Sequence, residues 1–196
     1  IRLISDPGVG LSPPKSLQNT ISYCLVPPLN PASTRALSMH LNPYFFSLCL
    51  LLTSCGGLSH AENWSGFRGV NAQGHSVEKQ LPLTWTDKQN ITWKTELPGE
   101  GWSSPIVYDG SVYITTTTEE GASCRVLSID SQTGDKNWDV QVHRQSPGAK
   151  RKQNSYATPT PVTDGNYIFA AFADGTVVAV DRKGSFVWKN TEVKFH

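Results

Sequence analysis

Val126-Leu127-Ser128-Ile129-Asp130-Ser131-Gln132-Thr133-Gly134-Asp135-Lys136-Asn137-Trp138 reads as a strand, a tight turn and a returning strand that carries a tryptophan. Val126, Ser128 and Asp130 alternate with Leu127 and Ile129, so the two faces of the first strand differ. Asp130 is placed to accept hydrogen bonds from backbone N–H groups two residues on. Gly134 can take the left-handed geometry that such a turn needs. Trp138 then re-enters as a ring expected to be buried.

The hairpin occurs twice. Its second copy is Val177-Val178-Ala179-Val180-Asp181-Arg182-Lys183-Gly184-Ser185-Phe186-Val187-Trp188. Asp130 and Asp181 are 51 residues apart, whereas Gly134 to Gly184 and Trp138 to Trp188 are each 50. The second turn is therefore one residue shorter. The residues before each hairpin also repeat. Ser103-Ser104-Pro105-Ile106-Val107 matches Ala157-Thr158-Pro159-Thr160-Pro161-Val162, and the turn Asp109-Gly110 matches Asp164-Gly165. Each unit thus reads as four short strands. In the first unit these are Ser103–Tyr108, Val112–Thr117, Cys124–Ile129 and Asn137–Val142. In the second they are Ala157–Val162, Tyr167–Phe172, Thr176–Val180 and Phe186–Lys189.

A repeat of about fifty residues built from four antiparallel strands is a propeller blade. The physical reason is that a lone four-stranded sheet cannot cover both of its apolar faces, whereas stacked blades cover one another. A tryptophan at the end of the fourth strand is large enough to bridge to the next blade. Burying such a ring contributes roughly 2–3 kcal/mol.

Asp130-x-x-Thr133-Gly134-x-x-x-Trp138 resembles the tryptophan-docking motif of the pyrroloquinoline-quinone-like propeller repeats, and Asp181, Gly184 and Trp188 form a shortened match. The resemblance spans about residues 64–196. Asn63–Gly69 and Ser155–Pro161 also resemble bacterial envelope members of that family. The expectation is an all-β, incomplete propeller with a disordered N-terminal region. It would hold two four-stranded antiparallel blades, at about 103–142 and 157–190, and one closing strand, Ile91–Thr95. Propellers of the family have more blades than two. The chain therefore reads as an N-terminal fragment, with sheet edges and tryptophan faces left open.

Composition agrees with many short strands. Gly (16) and Pro (13) are frequent, Met occurs once and Trp six times. Net charge is +1, divided as +2 over residues 1–61 and −1 over 62–196. Near-neutrality argues against a nucleic-acid binder that works by neutralising phosphates. Cys24, Cys49, Cys55 and Cys124 include no CxxC pair, and only Cys124 lies in the repeats, so those cannot hold a disulfide of their own.

Residues 1–38 are rich in proline, start with Ile and read as disordered or as a non-native upstream segment. Residues 39–61 read as a secretion leader. Met39 opens it, and Tyr44–Leu52 is an apolar stretch too short to span a bilayer. Leu52-Thr53-Ser54-Cys55 resembles a lipobox, which makes Cys55 the lipidation candidate. Ser59-His60-Ala61 offers the competing cleavage site, which would release a secreted protein. Residues 62–196 are then the propeller fragment. The location expected is the bacterial cell envelope, in the periplasm or on the outer membrane, with membrane attachment only through a lipid anchor.

Two functions follow. The first is a non-catalytic envelope scaffold, similar to the lipoprotein propeller of the BamB type that helps assemble outer-membrane β-barrels. It would bind other envelope proteins through loops or strand edges. The second is part of a quinoprotein dehydrogenase, which the family resemblance would equip with pyrroloquinoline quinone and Ca²⁺ on blades outside this sequence. No catalytic, cofactor-binding or metal-binding residues are assigned and no cofactor is evident. Asp109, Asp130, Asp164, Asp174 and Asp181 each lie at or next to a Gly-containing turn, where an aspartate is usually structural. Arg68, Ser103, Ser104 and Tyr156 are the candidates for a funnel-facing surface.

Overall fold

The computed structural model describes residues 20–23, 62–79, 81–86, 89–151 and 153–192. All of them belong to one structural unit. The order of strands is β1 (Thr20–Tyr23), β2 (Trp93–Glu96), β3 (Ile106–Tyr108), β4 (Ser111–Thr118), β5 (Ser123–Asp130), β6 (Lys136–Arg144), β7 (Val162–Thr163), β8 (Tyr167–Ala171), β9 (Val177–Asp181) and β10 (Phe186–Asn190). A 3-10 turn, Glu119–Gly121, joins β4 to β5. Two antiparallel four-stranded sheets result, in the order β3-β4-β5-β6 and β7-β8-β9-β10. These are the two expected blades, each a meander whose first strand is at one edge and whose fourth is at the other.

The strands are not the lengths expected. β3 starts at Ile106 rather than Ser103, and β7 holds only Val162 and Thr163. Pro105, Pro159 and Pro161 carry no N–H and cannot donate to a ladder. Side chains and a neighbouring loop take over there. The Ser103 hydroxyl serves both the N–H and the C=O of Thr115, and the Trp102 N–H goes to the Ala157 carbonyl at 3.0 Å. The outer strands run longer than expected, and β6 extends to Arg144 because its ladder persists to Ser123↔Arg144.

Two apolar layers result. Between the sheets, Ile106, Tyr113, Cys124, Val126 and Val142 of the first blade meet Ala157, Ile168, Ala170, Phe172, Val178 and Val180. The other face of the first blade, through Val107, Val112, Ile114, Leu127 and Ile129, is covered by Trp93, Leu97 and Trp64. The first blade is thus packed on both sides. Among the described residues the second is packed on one. On its far side Val162, Tyr167 and Trp188 are exposed, and Phe169 lies 6.4 Å from Tyr167 and 6.1 Å from Trp188, ring to ring.

The expected closing strand is β2, displaced to Trp93–Glu96. It pairs with β1 from Thr20↔Glu96 to Tyr23↔Trp93. β1 is the one element described within 1–38. The leader 39–61, with the lipidation candidate Cys55, lies outside the described residues.

Candidate functional site

The repeat motif builds a joint between neighbouring units. Asp130 Oδ1 accepts the N–H groups of Gln132 and Thr133, each at 2.8 Å, and Gly134 turns the chain with φ +80°. Asp181 does the same for Lys183 and Ser185, and Gly184 turns at φ +86°. The Thr133 hydroxyl of the first turn accepts the Asp135 N–H.

A tryptophan from the preceding unit then lands on each turn. Trp138 donates Nε1–H to the Arg182 carbonyl at 3.0 Å, and a Cβ on Gly184 would sit 2.8 Å from its ring. Trp93 repeats this on the first blade. Its Nε1–H reaches the Ser131 carbonyl at 3.0 Å, a Cβ on Gly134 would come within 2.6 Å of its ring, and the Thr95 hydroxyl bonds the Gly134 carbonyl. Glycine is needed at both turns for φ and for room. Trp138 is half-buried rather than buried, because one side of its ring lies on this turn at the surface. Trp188 is 42% exposed.

Four turn carboxylates are held below the usual range. Backbone N–H bonds lead for Asp130, Asp164 and Asp181. For Asp174, burial pushes upward and is overcome by Thr176 and His143. A carboxylate depressed in the folded state stabilises it above the unfolded value of about 3.9 and stops doing so as pH falls through the folded value. Urea midpoints should therefore fall as pH drops below about 4. A midpoint that holds steady down to about pH 3 would show that these caps carry no linkage.

The four funnel candidates divide between two places. Ser103, Ser104 and Tyr156 come to the end where the inner strands begin, since Trp102 N–H bonds both the Ala157 carbonyl and Ser155 Oγ, the latter at 3.1 Å. Ser103 is buried there and its hydroxyl is committed to Thr115. Tyr156 donates its hydroxyl to the Gly148 carbonyl, and Lys150 Nζ stands 5.5 Å from its ring centre. Lys150 is itself held by Glu100 at 3.0 Å. Arg68 belongs to a separate segment, 62–78, which crosses the opposite end. It has φ 64° and lies over Phe67.

One polar cluster has no signal in the sequence pattern. His143 Nε2 lies 2.8 Å from Asp174 Oδ2, and Thr176 Oγ1 lies 3.2 Å from the same nitrogen. This joins β6 to the β8–β9 turn across the blades. No spacing in the sequence pairs residues 31 apart in this way. Cys124, opposite His143 in the ladder, is fully buried, and burial, with help from Asp174, pushes its thiol up to about 12. It stays protonated at neutral pH and is no nucleophile.

Among the described residues no group of three or more His, Cys, Asp or Glu comes together as a metal site. Asp130, Asp164, Asp174 and Asp181 already spend oxygens on backbone N–H groups. The described residues therefore do not fit the oxygen-rich donor set that a quinone-bound Ca²⁺ requires.

The family model described as outer membrane protein assembly factor BamB matches residues 76–194, more than half of the chain. The chain belongs to this family. Among solved structures, the crystal structure of BamB from Moraxella catarrhalis matches at 20% identity with a TM-score of 0.26. That match covers 55% of this chain and 41% of the Moraxella protein, so the chain spans well under half of its BamB relative. No match was found among curated proteins. The BamB-family segment takes in both blades, both turns and Trp93. The crossing segment joins it only from residue 76.

Proposed function

We propose that this BamB-family chain acts as a non-catalytic scaffold in the bacterial envelope, binding other envelope proteins through loops or strand edges. The observation that carries this reading is the match of residues 76–194, which hold both blades, to the family described as an outer membrane protein assembly factor, and β10 is the outer edge of its sheet. All five residues of β10 are exposed. An open strand edge suits an extended segment, which can add its backbone to the edge. Strands of outer-membrane β-barrels have that character, and the family description supports partners from outer-membrane assembly.

A labelled peptide taken from such a barrel strand tests the reading. It should bind saturably and slow amide exchange along β10 about tenfold or more. Saturable binding with exchange along β10 unchanged would move the partner off this edge. Saturable binding of pyrroloquinoline quinone in the presence of Ca²⁺ would favour the dehydrogenase reading instead.

A further inference from the structure

The inner edges of the two blades are short strands that the meander leaves unpaired on one side. β3 has three residues and β7 two, and each lies at the end of its sheet with one side unpaired by the meander. Such edges present N–H and C=O groups to any strand that arrives. In this chain one short segment meets both. Trp64 forms an antiparallel bridge with Val107, its N–H donating to the Val107 carbonyl at 2.7 Å and its carbonyl accepting the Val107 N–H at 3.0 Å. The next carbonyl, on Ser65, accepts the Thr163 N–H of the second blade at 3.0 Å. The preceding side chain, Asn63, accepts the Asp109 N–H at 2.8 Å. Three consecutive residues therefore cross the seam between blades.

The same segment is closed on itself. Glu62 accepts Ser76 Oγ–H and the Val77 N–H, and its own N–H goes to Glu78. Gly69, at φ +79°, lies against the Trp64 ring, where a Cβ would approach to 2.8 Å. That ring packs on the apolar layer of the first blade. Gly66 sits against Val162 of the second, with room for a Cβ at 3.4 Å.

We propose that residues 62–78 form an internal strap whose strand, Asn63–Ser65, is added to the inner edges of both blades, locking them together and closing those edges to strand addition by other chains. The strap works at the inner end of the seam as Trp138 on Gly184 works at the outer end. It leaves the outer edges as the places where a partner strand can add.

Amide hydrogen exchange on the whole chain tests this. In the native protein the amides of Val107, Asp109 and Thr163 should be protected like those of the blade interior. Trp64→Pro removes the N–H that anchors the strap, and should speed exchange at Val107 and Thr163 together by about tenfold or more, with Val126 and Val178 unchanged. A peptide of residues 61–71 should bind this variant, restore the protection, and leave the native chain unbound. Unprotected Val107 and Thr163 in the native protein would overturn the strap. So would acceleration at Val107 alone, or failure of the peptide to bind. Should Trp64→Pro also lose protection at Val126 and Val178, Asn63→Ala decides instead. There Asp109 must accelerate by itself, and its continued protection would overturn the strap.

Discussion

Trp138→Ala is expected to lower folding stability by about 3 kcal/mol, and Trp188→Ala by less than about 1 kcal/mol, although both occupy the same place in the repeat. Loss of a fully buried tryptophan side chain typically costs about 3–5 kcal/mol, and half-burial puts Trp138 at the lower end. Its ring stands 5.9 Å from that of Tyr113 and lies on the Gly184 turn, with Nε1–H bonded to Arg182. Truncation leaves a gap that the β-strand ladder on either side cannot close. Trp188 has Phe169 as a ring neighbour at 6.1 Å and keeps 42% of its surface in water. Urea denaturation of the two variants gives the comparison. Equal losses would mean that docking on the turn adds nothing to the joint. Gly184→Ala should act in the same direction, since it adds a Cβ under the ring at φ +86°. It should be less than additive with Trp138→Ala, because the removed ring is what the Cβ would meet.

Phe172→Ala is expected to cost about 3–5 kcal/mol. The ring has no exposed surface and sits in the layer between the blades with Ile106, Tyr113 and Val126. It is placed there by a turn. Phe172 N–H bonds the Thr176 carbonyl and its own carbonyl accepts the Gly175 N–H, so the backbone cannot follow the lost ring inward. Domain stabilities are typically about 5–15 kcal/mol, so the variant should lose a large share of the total and show a shifted urea midpoint. A change under about 1 kcal/mol would show that the two blades do not share this layer.

The alternation around Asp130 and Asp181 and the fifty-residue spacing of the tryptophans were enough to read the blades, their strand count and their turns. These features are local, and each has a period or a turn chemistry that the residues display directly. Phe172 is different. It was legible as the last residue of a strand, but its position beyond β8 and between the blades depends on how two sheets meet. Trp138 was legible as a docking ring and illegible in its depth. The strap was least legible. Asn63, Trp64 and Ser65 have no alternation long enough to read as a strand, and their partners Asp109, Val107 and Thr163 are 46, 43 and 98 residues away. His143 and Asp174 likewise meet only because β6 and the β8–β9 turn come together across the seam.

By itself, then, the amino-acid order determined that this chain makes two four-stranded blades with an aspartate–glycine turn and a tryptophan at the end of each. Those are outcomes of side-chain periodicity and of the few residues that can turn a chain. The tertiary structure alone decided how deeply Trp138 is set, that Asn63–Ser65 bond both Val107 and Thr163, and that His143 meets Asp174. Those depend on pairings between segments far apart in the chain, where the free energy comes from covering apolar faces and satisfying edge N–H groups, and no short stretch of sequence displays either.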